Sequence, residues 1–191
     1  AARRASASLH AAVDRLGLNA AAALVVDLDT GEELYAKNAD AVLPIASLTK
    51  LMTGLALMRA ELPLDERITI TSADIDRLKN SGSRLPVGTT LSRGEMLQLA
   101  LMSSENRAAH ALGRTYPGGM ERFVRLMNAH AQLLGMNSTH YVEPTGLSSH
   151  NRSSARDLVR LVSVAGNQRL LRHWTTARSE DGCAGARGIP N

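Results

Sequence analysis

The segment Ser47-Leu48-Thr49-Lys50 places a hydroxyl and an amine three residues apart, at the point where an apolar stretch begins. Residues three apart lie on the same face of a helix, so the Lys50 amine can reach the Ser47 oxygen. A serine hydroxyl becomes a nucleophile when a neighbouring base takes its proton, and burial lowers the pKa of a lysine toward neutrality. The spacing therefore indicates acyl-transfer chemistry, although it also arises by chance at ordinary helix starts.

The surroundings of Ser47 favour the catalytic interpretation. Residues 44–46, Pro-Ile-Ala, predict a turn that ends an extended segment. Four apolar residues then follow the i, i+3, i+4, i+7 spacing of a buried helix face: Leu48, Leu51, Met52 and Leu55. Ser47 is thus expected at the positive end of a helix, where backbone N–H groups stabilise an oxyanion. Lys50 is expected among apolar neighbours, which is where a base with a lowered pKa is built.

A second candidate lies in the stretch 102–106, Met-Ser-Ser-Glu-Asn, which joins two predicted helices. Residues two apart do not share a helix face, so Ser104 and Asn106 converge on one point only in a connecting turn. In such a turn a hydroxyl can relay a proton and a carboxamide can hold a substrate amide. The alternative is an ordinary capping turn, because Ser and Asn are favoured N-caps.

Composition limits the remaining classes. The 191 residues are 44% hydrophobic, enough for one domain or one domain split into two lobes. The net charge of +4 is carried mostly by scattered arginines and only 3% of residues are aromatic, so no nucleic-acid partner is expected. The longest apolar stretches, 20–26 and 51–58, are too short for a transmembrane segment, and no signal peptide is visible. The six histidines and Cys183 lack metal-ligand spacing, so no metal or cofactor is expected.

Hydrophobic periodicity predicts an order of elements. A helical pattern covers 5–16, a hairpin joins 21–29 to 32–37, and a short strand covers 68–70. A helix start is predicted at 71–74, and four helices follow the one that starts at Ser47: 92–102 with a Ser92/Glu95 capping box, 105–114, 118–135 and 154–165. We expect a single domain over 1–178, with a helical sub-lobe of about 65–165, and an irregular tail over 179–191.

Ser-x-x-Lys at 47–50 followed by Ser-x-Asn at 104–106 is the motif pair of penicillin-binding proteins and serine β-lactamases. Over about residues 21–176 the sequence resembles the low-molecular-mass D-alanyl-D-alanine carboxypeptidase/endopeptidase family, most closely the D,D-endopeptidases of the bacterial periplasm. The resemblance includes the stretches 44–53, 99–109, 143–147 and 151–158. It implies an α+β, β-lactamase/D,D-peptidase-like fold in which a helical block is inserted in an antiparallel sheet.

The resemblance also implies the function. The chain would be a periplasmic serine D-Ala-D-Ala carboxypeptidase or D,D-endopeptidase that hydrolyses D-alanyl bonds in peptidoglycan stem peptides and cross-links. The reaction passes through an acyl-enzyme, and β-lactams act as acylating inhibitors. By resemblance Ser47 is the nucleophile and Lys50 its base. Ser104 passes a proton to the leaving amine, and Asn106 holds the substrate and Lys50.

The sequence departs from the family at the third motif, Lys-Thr-Gly or Lys-Ser-Gly, because no lysine follows Lys79. A C-terminally truncated copy is therefore expected, without the last sheet strands and without a second oxyanion donor, whose loss costs roughly 10²–10³ in rate. Two alternatives stay open. A class A-like β-lactamase needs a carboxylate, for which Glu143 is the candidate, although its Glu-Pro-Thr-Gly context matches the peptidase loop better. The other is a degenerate chain that binds peptidoglycan or penicillin without turnover.

Overall fold

A computed structural model of the protein describes residues 17–176, and both the helix predicted for 5–16 and the tail predicted for 179–191 lie outside this range. The described residues combine helices with short strands, an α+β arrangement. The helices, in chain order, are α1 Thr49–Arg59, α2 Arg93–Met102, α3 Asn106–Arg114, α4 Gly119–Leu133, α5 Ala155–Gly166 and α6 Arg169–Thr176. Helices α2 to α5 begin and end within two residues of the predicted bounds. The helical sub-lobe of about 65–165 stays a prediction.

Six short strands pair antiparallel, in three two-stranded sheets within the described range. Strands β1 Ala23–Val26 and β2 Glu33–Lys37 form the predicted hairpin. The other pairs are β3 Leu43–Pro44 with β6 Arg152–Ser153, and β4 Arg67–Thr69 with β5 Thr90–Ser92. The hairpin makes no ladder with β3 or β6, so within the described range it is the part of the antiparallel sheet that the resemblance implies.

The β3–β6 pair joins distant parts of the chain. Leu43 lies opposite Ser153, and the Ile45 N–H next to β3 donates to the Asn151 carbonyl at 3.1 Å. Two-residue strands carry no alternation, so this pairing has no sequence signal. Its effect is to bring the loop that precedes β6 beside the start of α1.

The core is built around α1, which contacts α2, α3, α4 and α5. Met52 and Leu55 are fully buried, as their spacing predicts, and Leu51 is partly buried. The prediction for Leu48 is wrong, because this residue is 56% exposed. It lies in a 3₁₀ turn, Ala46–Leu48, that precedes α1 and does not continue the face of the helix.

Side-chain hydrogen bonds cap several of the predicted helix starts. At α2 the Glu95 N–H donates to Ser92 Oγ at 3.2 Å, and the Ser92 N–H donates to Glu95 Oε2 at 2.7 Å, which is the predicted capping box. At the start predicted at 71–74 the Thr71 N–H donates to Asp74 Oδ2 at 2.8 Å, but the segment yields only a 3₁₀ turn. No helix in the described range is both long and apolar enough to cross a bilayer.

Replacing Ser92 with alanine should lower the free energy of unfolding by about 1 kcal/mol, because the Glu95 N–H loses the hydroxyl that accepts it, while the backbone N–H of residue 92 keeps its bond to Glu95 Oε2. Chemical denaturation measures the change. Ser103→Ala, at the other end of α2, is the matched control, since the Ser103 hydroxyl makes no hydrogen bond within the described chain. Equal unfolding free energies for the two variants would contradict the role given to the cap.

Candidate active site

The predicted nucleophile and base lie on consecutive turns at the start of α1. Ser47 is exposed in the 3₁₀ turn, whereas Lys50 is 1% exposed in the first turn of the helix. The Lys50 Nζ lies 3.3 Å from the Ser47 Oγ. The structure therefore brings together an accessible hydroxyl and a buried amine beneath it.

The second predicted pair reaches the same point from the turn between α2 and α3. The Ser104 hydroxyl donates to Ser47 Oγ at 2.9 Å and lies 3.2 Å from Lys50 Nζ. Asn106, the first residue of α3, accepts from Lys50 Nζ through its Oδ1 at 2.8 Å. Ser104 has a left-handed backbone, φ 54°, which aims its side chain out of the turn and toward Ser47. All four predicted site residues thus form one cluster.

A fourth oxygen completes the surroundings of the amine. Lys50 Nζ donates to the backbone carbonyl of Thr145 at 2.7 Å. Burial lowers the pKa of Lys50 from 10.5 to about 8, and the nearby carboxylates of Glu143 and, to a smaller extent, Glu105 oppose that shift. A sizeable fraction of the amine is therefore neutral near pH 8 and can accept a proton from a hydroxyl.

The orientation of the Asn106 amide follows from its two neighbours. The ammonium form of Lys50 can only donate, so the Asn106 oxygen faces it. The Asn106 Nδ2 then donates to Ser81 Oγ at 3.0 Å, and the Ser81 N–H is held by Asp76 Oδ2 at 2.8 Å. The loop between β4 and β5 therefore supports the wall of the site. Ser81 was not predicted as a site residue, because the sequence shows only a Gly/Ser-rich loop there.

The segment 143–147 packs directly beneath the nucleophile. Thr53 Oγ1 donates to the Pro144 carbonyl at 2.8 Å. Gly146 has φ 85°, and a Cβ at this position would lie 1.9 Å from the Ala46 carbonyl oxygen and 3.0 Å from the Ser47 nitrogen. Only glycine permits this approach.

The carboxylate of Glu143 makes its hydrogen bonds within its own loop. Its carboxylate accepts the backbone N–H groups of Thr145 at 2.6 Å, Gly146 at 2.7 Å and Ser148 at 3.3 Å. It also accepts the Thr145 hydroxyl, and the Asn151 Nδ2 at 2.8 Å. Asn151, itself fully buried, reaches Thr49 Oγ1 at 3.1 Å and so ties the loop to α1. The pattern Glu-Pro-Thr-Gly is the only sequence signal of this loop.

The arrangement provides a hydroxyl with two proton-transfer partners. Neutral Lys50 can take the Ser47 proton, and Ser104 connects both groups to a leaving atom. Within residues 17–176 no cluster of three or more His, Cys, Asp or Glu side chains could hold a metal ion. The chemistry that these residues themselves support is acyl transfer to serine.

Solved structures define the class of the fold. A mutant of the DD-transpeptidase of Streptomyces K15 matches with a TM-score of 0.76 and 30% identity, covering 82% of this chain and 65% of that one. The cefotaxime-bound form of penicillin-binding protein D2 from Listeria monocytogenes matches with a TM-score of 0.73 and 33% identity, covering 84% of this chain and 67% of that one. The predicted β-lactamase/D,D-peptidase-like fold is therefore confirmed.

Sequence comparison defines the family. The model of peptidase family S11, described as D-alanyl-D-alanine carboxypeptidase, matches residues 9–184, and the chain belongs to this family. It is 52% identical over 159 residues to the D-alanyl-D-alanine endopeptidase of Pseudomonas aeruginosa. It is 46% identical over 158 residues to the D-alanyl-D-alanine endopeptidase of Escherichia coli. Each match covers 83% of this chain and 51% of the relative, so the chain spans about half the length of these curated relatives.

Gly146→Ala should destabilise the fold by about 2–3 kcal/mol, because the added methyl group overlaps the backbone that carries Ser47. Thermal unfolding measures the loss. Gly166→Ala is the control, since nothing lies within 4 Å of a Cβ there, and this helical position should be neutral or gain up to about 1 kcal/mol. Similar unfolding temperatures for both variants would show that the loop and the nucleophile turn are not in tight contact.

Proposed function

We propose that this chain carries the nucleophile, base and proton relay of a serine-type D,D-peptidase acting on peptidoglycan. The observation that carries the proposal is the cluster around Lys50, whose amine faces the oxygens of Ser47, Ser104 and Asn106. Membership of the D-alanyl-D-alanine carboxypeptidase family supports the substrate class. The relatives from Pseudomonas and Escherichia are named endopeptidases, which favours cross-links over terminal D-alanine as the bond that is cut.

The geometry supports a two-step reaction. Neutral Lys50 takes the Ser47 proton, and the Ser47 oxygen forms a bond to the carbonyl carbon of a D-alanyl residue. The Ser47 N–H, at the start of α1, stabilises the oxyanion. Ser104 then passes its proton to the leaving amine as the peptide C–N bond breaks, and Lys50 returns to Ser104 the proton that it took from Ser47. Water attacks the resulting ester, releases the acyl group and returns the proton to Ser47, while Asn106 holds the substrate amide.

The β-lactamase alternative is not favoured. Such an enzyme needs a carboxylate free to activate the deacylating water. The carboxylate of Glu143, the candidate, is occupied by three backbone amides and two side chains of its own loop. We therefore expect β-lactams to acylate Ser47 and the resulting acyl-enzyme to be hydrolysed slowly. The substrates in this proposal are peptidoglycan stem peptides and cross-links, and the compartment is the bacterial periplasm.

The sequence contains no Lys-Thr-Gly or Lys-Ser-Gly triplet after Lys79. The residues proposed as nucleophile, base and Ser-x-Asn pair nevertheless all lie within the described residues. Acylation by penicillin is thus the direct test, because it requires only the first half of the reaction. A folded chain that takes no label would support the degenerate alternative.

Fluorescent penicillin should label the chain at Ser47, and Ser47→Ala should remove the label because no acyl acceptor remains. Lys50→Met should slow labelling by roughly 10²–10⁴, the contribution of a general base. Gel fluorescence over time, with mass spectrometry of the labelled peptide, measures both effects. Ser103→Ala, one residue before Ser104, is the control and should label at the parent rate. Equal labelling of the parent and Ser47→Ala would refute the proposed nucleophile.

The rate of acylation should rise tenfold per pH unit at low pH and level off above about pH 8, because the neutral amine is the base and the pKa of Lys50 is lowered to about 8. A lysine at its ordinary pKa of 10.5 would keep the rate rising through pH 9 and beyond. Stopped-flow measurement of the acylation rate between about pH 6 and pH 10, roughly two units on either side of the lowered pKa, distinguishes a lowered Lys50 pKa from an ordinary one.

A further inference from the structure

The peptide unit between Thr145 and Gly146 lies between a carboxylate and an amine. Its carbonyl accepts from Lys50 Nζ at 2.7 Å, and its N–H donates to Glu143 Oε1 at 2.7 Å. A peptide unit is planar, so whatever fixes its N–H also fixes the direction of its carbonyl. Glu143 and Lys50 are thus joined through a single rigid group.

We propose that Glu143 is a positioning residue for the reaction: through the Thr145–Gly146 peptide its carboxylate aims the carbonyl that holds the Lys50 amine against Ser47. This inference rests on the proposed function, since it gives Glu143 a part in the same acyl transfer. The carboxylate does not touch the nucleophile or the bond that is cut. It acts on the base through the backbone.

Three further contacts prevent the peptide from turning away. The Thr145 N–H and hydroxyl also bind Glu143, which fixes the preceding peptide unit. Asn151 holds Glu143 from the other side and bonds to Thr49, the neighbour of Lys50. Gly146 lies so close to the Ala46 carbonyl that no side chain fits between the two segments, which keeps this loop in contact with the turn that carries Ser47. A carboxylate at the far end of a polarised peptide also strengthens the bond from carbonyl to amine.

The negative charge of Glu143 also acts on the protonation of Lys50, which a residue that only holds its own loop together would not do. The charged groups that bear on Lys50 are the carboxylates of Glu143 and Glu105, and both favour its ammonium form. Asp157 provides a comparison, because this carboxylate likewise accepts a backbone N–H, from Ser138, and a hydroxyl, from Thr139, each at 2.8 Å. Asp157 is not among the carboxylates that shift the pKa of Lys50. A structural role alone predicts the same behaviour for Glu143 and Asp157.

The lysine side chains can be observed directly, because the chain has only three: Lys37, Lys50 and Lys79. In protein labelled with ¹³C-lysine, NMR titration follows each amine separately, and Lys50→Met identifies one signal. Glu143→Gln should lower the Lys50 midpoint by about one pH unit, since the ammonium form loses a nearby negative charge. Asp157→Asn should leave it unchanged. An unchanged midpoint in Glu143→Gln would overturn the proposal, whether or not the chain is active.

Acylation kinetics provide the second readout. In Glu143→Gln the acid limb of the rate profile should move to lower pH with the midpoint, while the plateau rate falls about tenfold to hundredfold because the amine is less well placed. Glu143→Asp keeps the charge and so should keep the midpoint near that of the parent, with a reduced plateau. A parent-like plateau in Glu143→Gln would overturn the positioning role. Failure of the parent chain to label would count against the proposed function, and the titration would still decide on Glu143.

Discussion

The burial of the Lys50 amine determines how this site is built. Lys50 is almost completely buried, and an isolated ammonium in such a place would be strongly unfavourable. Four oxygens surround its nitrogen, one of them a backbone carbonyl. These partners compensate enough of the desolvation to keep the amine in place, but not enough to restore its ordinary pKa. A base that titrates near neutrality results from this balance.

The four oxygens come from three separate stretches of chain, and much of the fold serves to bring those stretches together. The turn between α2 and α3 supplies Ser104 and Asn106, and the loop before β6 supplies Thr145. The β3–β6 ladder and Asn151 hold that loop against the start of α1. Helix α1 is also the centre of the hydrophobic core, so its packing anchors Lys50 and the turn that carries Ser47.

Sequence reasoning succeeds where the relevant interaction is local. The Ser47–Lys50 contact follows from helix spacing, and the convergence of Ser104 and Asn106 follows from the need for a turn. The sequence does not predict the Thr145 carbonyl as a partner of Lys50, because a backbone group leaves no signal in the pattern of side chains. It does not predict β6 and α6 either, because each element is too short for its hydrophobic periodicity to be recognised. The burial predicted for Leu48 is wrong because the i, i+4 spacing applies only within a helix, and Leu48 lies in the 3₁₀ turn before α1 begins.

Backbone strain lies beside both hydroxyls. Ala46 and Ser104 have φ values of 45° and 54°, in the left-handed region that non-glycine residues adopt at a cost of roughly 1–2 kcal/mol. Selection for folding alone would favour glycine at 104, and that exchange would delete the hydroxyl that touches Ser47. The left-handed backbone at residue 104 therefore accompanies a hydroxyl that glycine could not supply. Variants selected only for heat resistance should accumulate glycine at this position and so lose the hydroxyl that contacts Ser47.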